Sequence, residues 1–417
     1  MNTSKTVSET ITACRSCGSS DLHPFLDLGV TPLADRLPSE GQLDQEDLMV
    51  PLAVVLCGSC SLVQITETVE PEELFCRDYP YYSSVSPALM RYFGDSARAI
   101  IDSRPLGANS LVMEAASNDG YMLRHFVEAG IPVLGIDPAE GQAIAAREKG
   151  VDTLNTFFGL ELARELAGQG KQADVFLANN VLAHVADLRG FVEGISLLLK
   201  QDGVAVIECP YLMRLIEHCE FDTIYHQHLC YYSVHALVAL FEQFGLHLND
   251  LLETEIHGGS LRLFVSKTAG ASAKVEELLE QERAAGATEL AFFQTFSDRV
   301  AGLKRDLVGL LERLRAEGKK IVGYGAPAKG CTMMAYCGID SSHLDYLVDL
   351  NPVKHGRYMG GNRLRIEPTE RLREDQPDYA LILPWNFSRE IMEQQAEWIS
   401  RGGRFIVPVP QVEVLPR

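Results

Sequence analysis

The chain has 417 residues, with 37 Lys plus Arg against 57 Asp plus Glu and a formal net charge of -20. That length exceeds what one hydrophobic core organises, so two or three domains are expected. The acidic balance repels phosphate polymers and anionic lipid, which argues against nucleic-acid and membrane partners, and an anionic ligand would need positive potential placed locally.

The N-terminal residues lack the apolar stretch of a signal peptide and no run is long enough to span a bilayer, so a cytoplasmic protein is expected. Ten cysteines in a chain of this kind point to metal rather than to a disulfide framework. Cys14, Cys17, Cys57 and Cys60 form two CxxC pairs, separated by a stretch with Pro32 and Pro38 that reads mostly as loop and short strand. Two such hairpins offer four thiolates to one tetrahedral zinc ion, and a closed shell of this type holds structure and does not activate water. No basic cluster surrounds the pairs, which speaks against a nucleic-acid-binding zinc ribbon. Cys76, Cys209, Cys219, Cys230, Cys331 and Cys337 lack partners at ligand spacing and are expected to be packed thiols.

After an aromatic segment, YPYYSS from Tyr79, the pattern alternates between strand and helix: LVMEAAS, a helix over 121–129, IPVLGID, a helix over 141–149, then the strands ADVFLANNVL and GVAVIEC. Such alternation predicts a parallel sheet with crossover helices. Residues 274–318 are charged and Leu-rich at helical spacing, which predicts one or two long helices that connect domains and cover a sheet. A second strand-turn-helix unit begins at Ile321 and makes a smaller α/β domain. The expected domains are 1–75, 76–265 and 266–417.

In LVMEAASNDGYML a strand runs through a small-residue turn into a helix, which brings backbone N–H groups and the helix dipole to a ligand. Glu114 ends the strand and Gly120 permits close approach. Seventeen residues after Gly120 a second strand ends in Asp137, whose carboxylate suits the two hydroxyls of a ribose. The loop lacks the full GxGxxG pattern, which fits a cofactor with no pyrophosphate to cradle. In the C-terminal unit, GYGAPAKG offers a similar turn with Tyr324 and with Lys329 near a helix start, a place suited to a diphosphate. His257 and Arg262 of HGGSLR either line a ligand pocket or close a strand.

The ordered series CRSCGS, LDLGVTPLADR, CGSC, YPYYSSVS, EAASNDG, ANNVLAHV, YHQHLCYYS, EIHGGSLR, GYGAPAKG, VDLNPVKHGRY and ILPWNF resembles the dTDP-sugar C-3 methyltransferases over nearly the whole chain. The resemblance implies an α/β protein with an N-terminal zinc-binding domain, a central Rossmann-like domain that binds S-adenosylmethionine, and a C-terminal Rossmann-like α/β domain that helps hold a dTDP-linked sugar. It implies removal of the C3 proton of a 4-keto deoxysugar by a base, and attack of the resulting enolate on the methyl group of S-adenosylmethionine. Such chemistry needs a base poised near neutral pH, a donor to the developing oxyanion and a dry site.

Carried onto this chain, the resemblance makes His228 the base and Tyr225 an oxyanion donor, with His184, Tyr79 and Gln227 as further catalytic positions. His226 would point elsewhere if the segment is extended. The expected cofactor set is Glu114, Ala116, Asn118, Gly120, Asp137 and Asn179, and the expected sugar set is His257, Arg262, Tyr324 and Lys329. Two departures stand out: Gln227 replaces the usual Glu of YHEH, losing charge and basicity, and Ala116 replaces the usual Gly, a change tolerated at an ordinary negative φ. Competing readings are an enolising enzyme without methyl transfer, a nicotinamide-dependent oxidoreductase, and a zinc-ribbon binding protein without catalysis. A monomer or homodimer is expected.

Overall fold

The strand Ala173–Asn179 is flanked by parallel neighbours on both edges, and all but one of its residues are buried, as a strand covered on both faces requires. It lies at the centre of a seven-stranded sheet in the computed structural model, which describes residues 8–75 and 82–416 and, of His257, the backbone alone. The sheet order is His247–Thr254, Ser260–Ser266, Leu199–Pro210, Ala173–Asn179, Val112–Ala115, Val133–Ile136, Thr153–Leu154. The first two strands form an antiparallel hairpin on one edge and the rest run parallel. The chain order reverses between Val112–Ala115 and Ala173–Asn179, which opens a ligand crevice at the carboxyl ends of those strands.

The N-terminal unit is built on Leu22–Pro32, an eleven-residue strand where loop and short strand were expected. Two register shifts against Met49–Cys57 let it bend past Gly29, whose φ of 79° only glycine adopts readily. The four-stranded sheet is completed by Val63–Ile65 and by Cys230–Tyr231, so the central unit lends a strand to the N-terminal one.

The region 274–318 folds as the two helices Ala273–Ala285 and Leu290–Ala316, parted by Gly286 in the left-handed conformation. The longer helix buries Phe293, Phe296, Val300, Leu303, Leu307, Leu311 and Leu314, a single stripe at three- and four-residue spacing. It touches all three units: Phe293 packs on Phe25 with ring centroids 4.9 Å apart, Arg299 donates to the carbonyl of Ile216 at 2.8 Å, and Arg315 pairs with Asp345 at 3.1 Å. The C-terminal sheet runs Ile366–Pro368, Leu347–Asp349, Ile321–Tyr324, Tyr379–Ile382, Arg404–Val407, Glu413–Leu415, parallel except for its last strand. Among the described residues no helix is long and apolar enough to cross a membrane.

Candidate active site

The four paired cysteines converge, their sulfurs all within 4.8 Å of one another. Sγ of Cys14 lies 3.6 Å from that of Cys60, and Sγ of Cys17 lies 3.6 Å from that of Cys57. Three of the four are buried, and the set fits a tetrahedral metal with no place for substrate. Cys209, Cys219, Cys230, Cys331 and Cys337 are free and buried, while Cys76 lies outside the described residues.

The cofactor loop follows Val112–Ala115 in an unusual conformation: Ala116, Asn118 and Gly120 all have positive φ, at 55°, 48° and 74°. Asn tolerates this region and Gly favours it, but Ala does not. The condition under which Ala116 would be tolerated, an ordinary negative φ, is not met: the chain holds a left-handed alanine where glycine relieves the strain. A Cβ at Gly120 would meet Val151 Cγ2 at 2.9 Å, so glycine is required there for packing as well.

Asp137 accepts from the backbone N–H of Asn118 (2.8 Å) and of Ala139 (2.9 Å), and so holds the loop in place. Asn179 donates to Glu114 Oε1 at 2.9 Å, and burial pushes the Glu114 carboxyl up to about 8. The backbone N–H of Ser83 donates to the Asn118 side chain at 2.9 Å, closing the loop from above. Oε2 of Glu114, Oγ of Ser117, Oδ1 of Asp119 and Oδ1 of Asn180 are buried and have no hydrogen-bond partner among the described residues. Carboxylate, hydroxyl and amide oxygens of this kind fit the ammonium and hydroxyl donors of S-adenosylmethionine.

His184 follows the next strand in a 3₁₀ turn, Leu182–His184. Its Nδ1 donates to the main-chain carbonyl of Gln227 at 2.6 Å, and its ring lies 4.8 Å from that of His228. Burial holds His184 below the usual histidine range. Residues 225–228 form a turn closed by the N–H of His228 on the carbonyl of Tyr225 (2.8 Å), not the extended segment considered above. The turn still directs His226 elsewhere, its Nε2 lying 3.0 Å from the Pro51 carbonyl. His228 Nδ1 is 2.8 Å from the carbonyl of Thr223, which can only accept, so this nitrogen carries the proton and Nε2 faces the Tyr225 hydroxyl at 3.0 Å. Tyr79 lies outside the described residues.

Gln227 also lines a cavity of about 690 Å³ between the N- and C-terminal units. Its charged lining includes Asp35, Arg36, Lys354, Arg357 and Arg363. Arg36 is paired with Glu73, Arg363 with Asp47 and Lys354, at 4.0 Å, with Asp349, while Lys354 and Arg357 also donate to the carbonyls of Ala326 and Leu37. These residues lie within LDLGVTPLADR and VDLNPVKHGRY and in the chain just beyond, yet no spacing rule marks them as a site.

The expected sugar residues are placed differently. Arg262 sits opposite Glu208 in the sheet, pairs with it at 3.0 Å and lies 4.8 Å over the ring of Tyr92, so it closes a strand. The Tyr324 hydroxyl accepts from Gln395 at 3.3 Å within the C-terminal core. Lys329 has its ammonium 3.7 Å from the ring centroid of Trp385, donates to Asn386, and lies near buried Asp222 and Glu220, surroundings that disfavour a diphosphate. Gly258 lets Glu220 approach, since a Cβ there would be 2.6 Å from its carboxylate. The side chain of His257 lies outside the description.

Family models match in chain order: a zinc binding domain over residues 14–75, a methyltransferase domain over 91–251 and a C-methyltransferase C-terminal domain over 255–410. The chain is 34% identical to the C-methyltransferase NovU of Streptomyces niveus over 408 residues, 97% of each protein. A ubiquinone biosynthesis O-methyltransferase of Azorhizobium caulinodans is 27% identical over 124 residues, 30% of this chain and 47% of that one. Magnesium protoporphyrin IX methyltransferase from Synechocystis PCC 6803 with bound SAM superposes with a TM-score of 0.33 at 14% identity, covering 43% of this chain and 79% of that one, a likeness too low to carry an argument. The near full-length match and the three ordered models place this chain in the family of S-adenosylmethionine-dependent C-methyltransferases.

Proposed function

We propose that the chain methylates C3 of a dTDP-linked 4-keto deoxysugar through an enolate. The observation that carries this reading is the Tyr225–His228–Thr223 arrangement, which turns Nε2 of the His228 ring toward a phenol beside the cavity lined by Gln227. S-adenosylmethionine, when bound, supplies the electrophilic methyl group. The Nε2 lone pair of His228, which accepts from the Tyr225 hydroxyl before substrate binds, is the base, the hydroxyl then turns to donate to the developing oxyanion, and His184 holds the main chain of the same turn. Arg357 and Lys354 are the local positive charge for the diphosphate, in place of Lys329. The metal at the four thiolates is zinc and its role is structural.

Ala116 favours a second reading, in which a strained cofactor loop leaves an enzyme that only enolises its substrate. Mass spectrometry of a dTDP-4-keto deoxysugar incubated with the protein in deuterated water tests both. A gain of one methyl group that requires S-adenosylmethionine establishes the transferase, deuterium at C3 without methyl gain establishes the enolising enzyme, and an unchanged sugar defeats both.

A further inference from the structure

The segment 221–224 is the point at which the C-terminal unit grips the reacting turn. Trp385 Nε1 donates to Asp222 Oδ2 at 2.8 Å, and the Thr332 hydroxyl donates to the carbonyl of Ile224 at 2.9 Å. Between those two anchors lies Thr223, whose carbonyl accepts the Nδ1 proton of His228 at 2.8 Å. Lys329 stacks on Trp385 from the other side and holds Asn386. Asp222 is fully buried and its Oδ1 has no partner among the described residues, so the indole N–H is the hydrogen bond that holds this carboxyl. A buried polar group with one bond is a costly arrangement to keep for packing alone.

We infer that Trp385 and Thr332 are positioning residues for His228: they fix the backbone of 222–224 so that the Thr223 carbonyl selects the Nδ1–H tautomer and leaves Nε2 as the reacting nitrogen. Neither residue lines the cavity that Gln227 borders. The assignment of His228 as the base rests on the function proposed above, but the tautomer does not. The C-terminal unit therefore takes part in catalysis through the orientation of one carbonyl.

The test is 15N NMR of histidine-labelled full-length protein, compared for wild type, Trp385→Phe, Thr332→Val and Asp222→Asn. Wild type and Asp222→Asn, which keeps an oxygen for the indole N–H, are expected to show His228 as the Nδ1–H tautomer. Trp385→Phe and Thr332→Val are expected to show a mixture of tautomers, with kcat for methyl transfer reduced roughly tenfold and affinity for S-adenosylmethionine unchanged. A single Nδ1–H tautomer with wild-type kcat in folded Thr332→Val and Trp385→Phe overturns the inference. If wild type methylates no sugar offered, the function proposed above is in question, while the tautomer readings still decide this one.

Discussion

His184 is joined to the main chain of Gln227, not to its side chain: Nδ1 donates to the carbonyl at 2.6 Å. The bond ties the loop after Ala173–Asn179, on the cofactor side, to the turn that carries Tyr225 and His228. Because the acceptor is backbone, the link does not depend on which side chain residue 227 bears. This separates two consequences of substitution that the sequence merges.

His184→Ala removes the link and is expected to lower kcat on the order of 100-fold, with binding of S-adenosylmethionine little changed. Gln227→Ala keeps the carbonyl and is expected to cost less than about tenfold. Steady-state kinetics on both variants decide the matter, and equal losses would show that the Gln227 side chain has a larger part than its geometry implies.

Ala116→Gly is expected to stabilise the cofactor-free protein by up to about 1 kcal/mol, since glycine removes the left-handed penalty and loses part of that gain to its freer unfolded chain. Chemical denaturation measures the change and calorimetry measures the accompanying rise in cofactor affinity. An unaltered midpoint would mean that the loop relaxes around the alanine at no cost.

Burial raises Glu114 and Glu220 to about 8 and Asp222 to about 6. Their folded forms retain protons that the unfolded chain has released, so stability falls as pH rises from the ordinary carboxyl range up to these values and levels off above them. His184 and His226 are lowered and act oppositely, costing stability as pH falls through their ordinary value of 6.5. Between pH 6.5 and about 8 the two glutamates dominate, and the cofactor-free protein should lose stability by at most about 1.4 kcal/mol per pH unit for each. Glu114→Gln should flatten that slope by one group's share in urea titrations across this range, and an unchanged slope would place the proton elsewhere.

Metal analysis should find one equivalent per chain, lost in Cys57→Ser. Chelation is expected to lower the melting temperature and to reduce methyl transfer, although no thiolate lies among the reacting groups. The route is the strand Cys230–Tyr231, which follows directly on the 225–228 turn and pairs with Val63–Ile65 beside the second CxxC pair. Retained activity in the metal-free protein would show that this strand holds without the knot.

Alternating buried strands and helices, the two CxxC pairs and the long amphipathic helices were legible because each has a short-range signature: a period, a spacing or a stripe. The segment at Ala116 was legible as a strand-to-helix turn, but the positive φ of Ala116 was not, because residue type alone does not give the backbone sign at a non-glycine position. Lys329 reads as a phosphate ligand from its place after GYGAP, and only tertiary packing puts it on Trp385. The cavity brings the segment of Lys354 and Arg357 against that of Asp35 and Arg36, more than 300 residues earlier, which no local pattern reveals.

The stretch 222–228 is held by Pro51 from one side and by Trp385 and Thr332 from the other. Each unit therefore owns a contact without which the others are incomplete. A chimaera that exchanges any one of the three with a relative would have to carry matching partners across two seams at once. Recombination at the apparent domain boundaries should give mostly folded but idle proteins, and changes of activity are better sought by substitutions within single units than by swapping whole ones.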